Sequence, residues 1–282
     1  MSLWNQATYR SILYEFTRRE LTFKKDRLDA LKGILSVIIS PGDSITLRTG
    51  LPWCYFGWAL TWRLSPAYKI KIYRDPVDIA PSWSWASAGQ PVECYTSSHT
   101  GVQPYAYVYE EKGILNNIVA KPVVTFLEHQ RNLLFDKTII DSLAQTIVLE
   151  PNQRLPVIHL ITMVFHAYIG LSGHNEEYHS TAYYRIKMPK SVSQFLGRGE
   201  NSTRYHVGDD IRVNSARYGK LDVSKPWFFA LVWIESRYFV LLLREMGDGY
   251  ERVSIVGLNA SGFNLLVTAE GKDSPWAYII LR

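Results

Sequence analysis

Only two cysteines occur in 282 residues, Cys54 and Cys94, forty positions apart and in no CxxC spacing. That scarcity excludes a disulfide-framed scaffold and a cysteine-rich zinc module, and it fits two reduced, partly buried thiols in a cytoplasmic protein. Charge is also thin: 20% of the residues are Asp, Glu, Lys or Arg and 47% are hydrophobic, which excludes a disordered chain. The N-terminal Met-Ser-Leu-Trp-Asn-Gln lacks the basic start and apolar run of a signal peptide. Leu155 to Asn175 carries no formal charge, yet Pro156, His159, Thr162, His166 and Gly170 interrupt it and β-formers dominate it. A buried strand is expected there rather than a membrane span.

Motifs for chemistry are equally sparse. A phosphate-cradling loop needs glycines whose bare amides approach the anion, and the nearest match, Gly197-Arg198-Gly199, lacks the third glycine and the helix. Gly170-Leu171-Ser172-Gly173 is one residue out of register for a nucleophile elbow. No internal repeat is evident. His174, Glu176, Glu177 and His179 put two imidazoles and two carboxylates within six residues, enough for a zinc ion or a general acid/base pair. In a loop that spacing fixes no geometry, so solvent-exposed residues are the preferred reading. His159 and His166 fall on opposite faces of one strand and read as hydrogen-bonded core histidines. No cofactor is expected.

The formal net charge of +5 resides in one segment. Between Arg185 and Lys225 nine Lys and Arg face four Asp and Glu, and the rest of the chain balances, 22 against 22. These charges are scattered among Gly, Ser and Asn without an aromatic ladder, so a solvated surface is preferred and nucleic-acid binding is not expected.

Aromatic residues are abundant, with nine Trp and eighteen Tyr. The richest stretch is Ala80, Pro81, Ser82, Trp83, Ser84, Trp85, Ala86 and Ser87. Pro81 biases Ala80 toward extended geometry, so the segment is expected to enter as a strand with both indoles on one face and the small residues on the other. Burying two indoles hides on the order of 300 to 500 Å², a gross gain of roughly 8 to 12 kcal/mol. Core packing is the expected role.

Upstream, apolar spacing predicts amphipathic helices from Leu3 to about Arg18, over Leu28, Leu31, Ile34, Leu35 and Ile38, and from Trp53 to about Leu64. Downstream the period becomes two. Strands are expected at Tyr105 to Tyr109, Ile118 to Leu127, Leu143 to Leu149, Val157 to Ile169, Thr181 to Met188, Trp227 to Ile234, Tyr238 to Arg244, Glu251 to Gly257 and Trp276 to Ile280. Gly170 to Tyr178 reads as loop, and Pro189 to Val223 as a long mobile polar excursion. The fold class is therefore α+β: a helical unit of about three helices (1–79), a Trp-motif junction (80–95) and a mainly antiparallel β domain (96–282). Tyr105, Tyr107 and Tyr109 share one strand face, where exposed rings would stack sugars or bases, so carbohydrate or nucleic-acid binding stands as an alternative.

Ala80 to Ser87 resembles a segment that follows the HET domain in fungal heterokaryon-incompatibility proteins. Arg19-Glu-Leu21-Thr22 followed by Asp26-Arg-Leu28-Asp-Ala30-Leu31-Lys-Gly33-Ile34 is similar to a stretch of that family, as Gly50 to Leu64 is to its Gly/Trp-rich helix, in the same order. Tyr250-Glu251-Arg252-Val253 resembles a frequent late strand, with Ser254 where Gly is common. The resemblance covers roughly the first third of the chain. The HET domain itself would lie upstream of Trp4, so the chain is expected to be a separate C-terminal half or the product of a gene model that starts late. By resemblance it would be a non-catalytic support, regulatory or interaction module of a protein of non-self recognition and programmed cell death. Its partner would be a HET domain, another protein or a second copy. HET domains are thought similar to TIR domains, some of which consume NAD, so a hydrolase or NADase using His174, Glu176 or His179 is a further alternative.

Overall fold

The computed structural model describes residues 6–19, 21, 23–38, 47–48, 50–52, 56–65, 80–95, 105–109, 116–118, 142, 157–173, 181–187, 208–269 and 276–282. Apolar spacing at the start of the chain yields two helices, α1 (Gln6–Thr17) and α2 (Arg27–Ile38), the second entered through a 3-10 turn at Lys24–Asp26. α1 buries Tyr9, Leu13 and Phe16, one face of a 3.6-residue period. The buried stripe of α2 is narrower than its periodicity implies. Leu31 and Leu35 are fully buried, but Ile34 is 38% and Val37 86% exposed. At about 100° per residue, Ile34 is turned away from the line through Leu31 and Leu35 that meets the core.

Two short strands, β1 (Leu47–Arg48) and β2 (Leu51–Pro52), pair around Gly50. The helix expected from Trp53 to Leu64 is a single turn, α3 (Phe56–Ala59), followed by β3 (Trp62–Leu64). Long-range pairing overrides the local period here: β3 lies antiparallel to β4 (Val92–Cys94), with Arg63 opposite Glu93.

The β domain follows the expected alternation more closely. β5 (Tyr105–Tyr109), β6 (Asn116–Ile118) and the long central β7 (Val157–Ala167) pair antiparallel. The candidate strands beyond Ile118 and from Leu143 to Leu149 lie outside the described residues. Gly170 to Gly173, read as loop, belongs to a strand, β8 (Ile169–Gly173), because β9 (Thr181–Ile186) pairs with it. The polar excursion is likewise partly regular. Residues 208–223 hold β10 (Ile211–Asn214), paired with β9, and the short helix α4 (Ser215–Tyr218), and they bury Ile211, Val213 and Leu221. Four alternating residues are too short a run to stand out amid polar sequence.

β11 (Trp227–Ile234), β12 (Tyr238–Met246) and β13 (Gly249–Leu258) form the expected meander. A helix, α5 (Ala260–Ala269), then leads to β14 (Trp276–Leu281), which pairs antiparallel with β7. Because β11 also pairs with β7, the pairings β7–β11–β12–β13–β14–β7 form a closed circuit, whose thinnest link is the parallel pair Tyr250↔Leu281. One hydrophobic cluster fills the space between α1, α2, α3, the Trp motif and residues such as Leu160, Val232 and Leu241 of this sheet. A second lies between the sheet, the β8–β9–β10 sheet and α5. The architecture is α+β, with helices preceding a mainly antiparallel β region. Among the described residues no helix is long and apolar enough to cross a membrane.

Candidate functional site: the junction around the tryptophan motif

Ala80 to Ser87 is not the extended strand its Pro81 implies. The Ser84 amide donates to the Pro81 carbonyl (2.9 Å), closing a turn, and Trp85–Ala88 form a 3-10 helix capped by Ser84, whose hydroxyl accepts from the Ala86 amide (3.2 Å). The Ser87 hydroxyl donates to the carbonyls of Ser84 (2.7 Å) and Ser82 (3.2 Å). Three serines in six residues thus supply local partners that a strand would have needed from a ladder. The turn sends the two indoles to different neighbours instead of one face, and both are fully buried.

Trp83 packs edge-on against Phe56 of α3 at 6.2 Å, and its carbonyl accepts from the Trp62 indole (2.8 Å). Trp85 meets Phe16 of α1 edge-on at 5.8 Å, lies under the Arg27 guanidinium at 5.4 Å and donates to the Gly50 carbonyl (3.2 Å). The Tyr9 hydroxyl donates to that same carbonyl (2.8 Å). Gly50 has φ +84°, and a Cβ there would stand 2.6 Å from the Trp85 indole nitrogen, so only glycine fits.

The other side of the motif faces β13 and β14. The Ser82 amide and hydroxyl both donate to the Arg282 carbonyl, and the hydroxyl accepts from the Arg252 amide (2.9 Å). Arg252 is 1% exposed. Its guanidinium donates to the carbonyls of Leu60 (2.8 Å) and Trp62 and stacks on the Trp62 ring at 3.6 Å. The register of β13 against β12 slips at Val253, an extra residue between the Arg252 and Ser254 pairings, which is how a strand re-aims a side chain. Burial pushes the Arg252 pKa down to about 9, so the group is charged at neutral pH. Around it Glu93 pairs with Arg63 (2.8 Å) and Arg212 (3.1 Å), and Glu251 with Arg217 (2.9 Å) and Arg244. Arg217 and Asn214 also donate to the carbonyls of Ser87 (2.9 Å) and Ala88 (3.1 Å).

Beside the junction, Arg10 and Tyr14 of α1, Glu93 to Tyr95 and the β11–β12 turn at Glu235–Arg237 line a cleft of about 470 Å³. Its strongest polar groups are engaged. Arg237 forks onto both oxygens of Asp209 (2.8 and 2.9 Å), and Tyr95 donates to the same carboxylate (3.3 Å). Burial pushes the Cys94 thiol up to about 12, so it is no nucleophile at neutral pH. No group of three or more His, Cys, Asp and Glu among the described residues could hold a metal.

His174, Glu176, Glu177 and His179 lie outside the described residues, as do Cys54 and the side chains of Tyr105, Tyr107 and Tyr109; the register sets Tyr107 opposite His159. His166 is exposed against the Phe228 ring (5.0 Å) and is not the core histidine expected. The burial of Arg252 is not legible from its residue type, since a charged residue in a strand reads as solvent-facing. The available signal was the resemblance of Tyr250 to Val253 to a late strand of the HET-protein family. No family model, curated protein or solved structure matches the chain.

Proposed function

We propose that this chain is a non-catalytic support or interaction module and that, in line with its resemblance to heterokaryon-incompatibility proteins, it carries or restrains a HET domain in non-self recognition. One observation carries the reading. The stretches that bear the resemblance converge on a single junction: Leu31 of α2, Gly50, Trp58 to Leu64, the Trp motif and Glu251 to Ser254 share one core or its hydrogen bonds. The polar groups there bond mostly to backbone and to each other, which suits a joint that holds two units together and leaves little free for chemistry.

The test is to assay the purified chain for NAD consumption and ester hydrolysis, and to add a HET domain as a separate chain during size-exclusion chromatography. The expected result is no turnover and co-elution of the two chains. Turnover abolished by His174→Ala, Glu176→Gln or His179→Ala would overturn the proposal.

A further inference from the structure

Under the motif, Trp62, Ser87, Arg212, Arg217, Arg252 and Ser254 line a cavity of about 20 Å³. That volume exceeds the roughly 10 to 15 Å³ minimum for a water and holds a single monatomic or water-like particle, and it is too small for a phosphate or a carboxylate ligand. Two buried donors on its walls lack acceptors. The Nε–H of Arg252 and the Nε–H of Arg212 have no hydrogen-bond partner, although both Nη atoms of Arg252 and Nη1 of Arg212 are engaged. A buried N–H of a charged group without an acceptor is among the costlier defects a core can hold.

Among the described residues the surrounding charge does not balance. Arg63, Arg212, Arg217 and Arg244 share two carboxylates, Glu93 and Glu251, and Arg252 has no carboxylate partner among the described residues. The Asp210 carboxylate, the further acid near Arg212, is taken up by Arg185 and Ser172, and the two weaker acids are neutral, because burial raises Tyr218 well above its ordinary range and holds Cys94 protonated. A water would satisfy hydrogen bonds but bring no charge. A buried cation whose attraction goes only to carbonyls and a ring gains far more from an anion.

We propose that this cavity is a halide site, in which one chloride-sized monovalent anion accepts from the Nε–H groups of Arg252 and Arg212 and neutralises part of the arginine cluster. Arg252 joins the α3–β3 turn to β13, so the bound anion strengthens the joint between helical unit and sheet. Occupancy follows the halide concentration and couples to stability by mass action.

The probe is chloride against gluconate at constant ionic strength, with melting temperature as readout, together with bromide anomalous scattering from crystals of the full chain. The expected result is a saturable rise of roughly 2–4 °C with chloride or bromide, absent in Arg212→Gln, and a bromide peak between the two Nε atoms. If Arg212→Gln does not fold, the wild-type halide titration and the bromide peak decide. A melting temperature indifferent to halide overturns the proposal, and a peak without it means an adventitious ion only. Halide dependence with no peak in this cavity places the site elsewhere and overturns it too.

Discussion

On its helical side the Ala80–Ser87 turn meets rings: Phe16 and the Arg27 cation around Trp85, and Phe56 beside Trp83. On its sheet side it meets directional polar groups: the Arg252 amide, the Arg282 carbonyl and the guanidinium of Arg217. The first side is held by area and shape, which depend little on salt. The second is held by hydrogen bonds and charge in a low-dielectric setting, where each unmade bond is costly and anions matter. The eight-residue turn therefore meets its helical and sheet neighbours by two kinds of force, and substitutions on its two sides should behave differently.

The largest loss is expected on the ring side. Trp83→Ala or Trp85→Ala should lower unfolding free energy by about 3 to 5 kcal/mol, measured by urea denaturation, with little change between low and high salt. Wild-type stability with lost binding of a ligand would make the motif a site instead. Arg252→Met should cost about 2 to 4 kcal/mol, because the carbonyls of Leu60 and Trp62 lose their donor while a buried charge is relieved. The same substitution should abolish any dependence on halide. A neutral or stabilising result would mean that its desolvation outweighs its bonds.

Gly50→Ala combines a left-handed backbone with a collision against the Trp85 indole and should cost about 1 to 3 kcal/mol. Ser82→Ala removes one hydroxyl that serves both β13 and β14, and the loss should be about 1 to 2 kcal/mol. The smallest effect is chemical. In a Cys54→Ser background, Cys94 should resist thiol reagents at pH 8 until global unfolding, since burial holds its pKa near 12. Rapid labelling of the folded protein would show that the junction opens locally.

The parts of the fold legible in the sequence are those whose pattern is local. α1, the β11–β12–β13 meander and β14 announce themselves by period. Pairings between distant segments were not legible. β3 and β4 each have three residues, and the Arg63–Glu93 pair that fixes them spans 30 positions. β10 sits in a segment whose net charge masks Ile211 and Val213, and its Arg212 serves Leu64 and Glu93 across the junction. For the motif itself, composition indicated that both indoles belong in a core, but not the turn. Extended geometry follows from Pro81 alone, whereas the 3-10 helix follows from the Ser84 and Ser87 hydroxyls acting together. The buried charge of Arg252 depends on a bulge at Val253 that no alternation of residues encodes.

The joint is tested most directly by native-state hydrogen exchange on the unmodified protein, comparing α1 (Gln6–Thr17) with β12 and β13. If the turn ties the helical unit and the sheet into one cooperative body, the slowest amides of α1 and of β12–β13 will open with the same free energy and the same denaturant dependence. Exchange through α1 at a much lower free energy, with the sheet still protected, would contradict it.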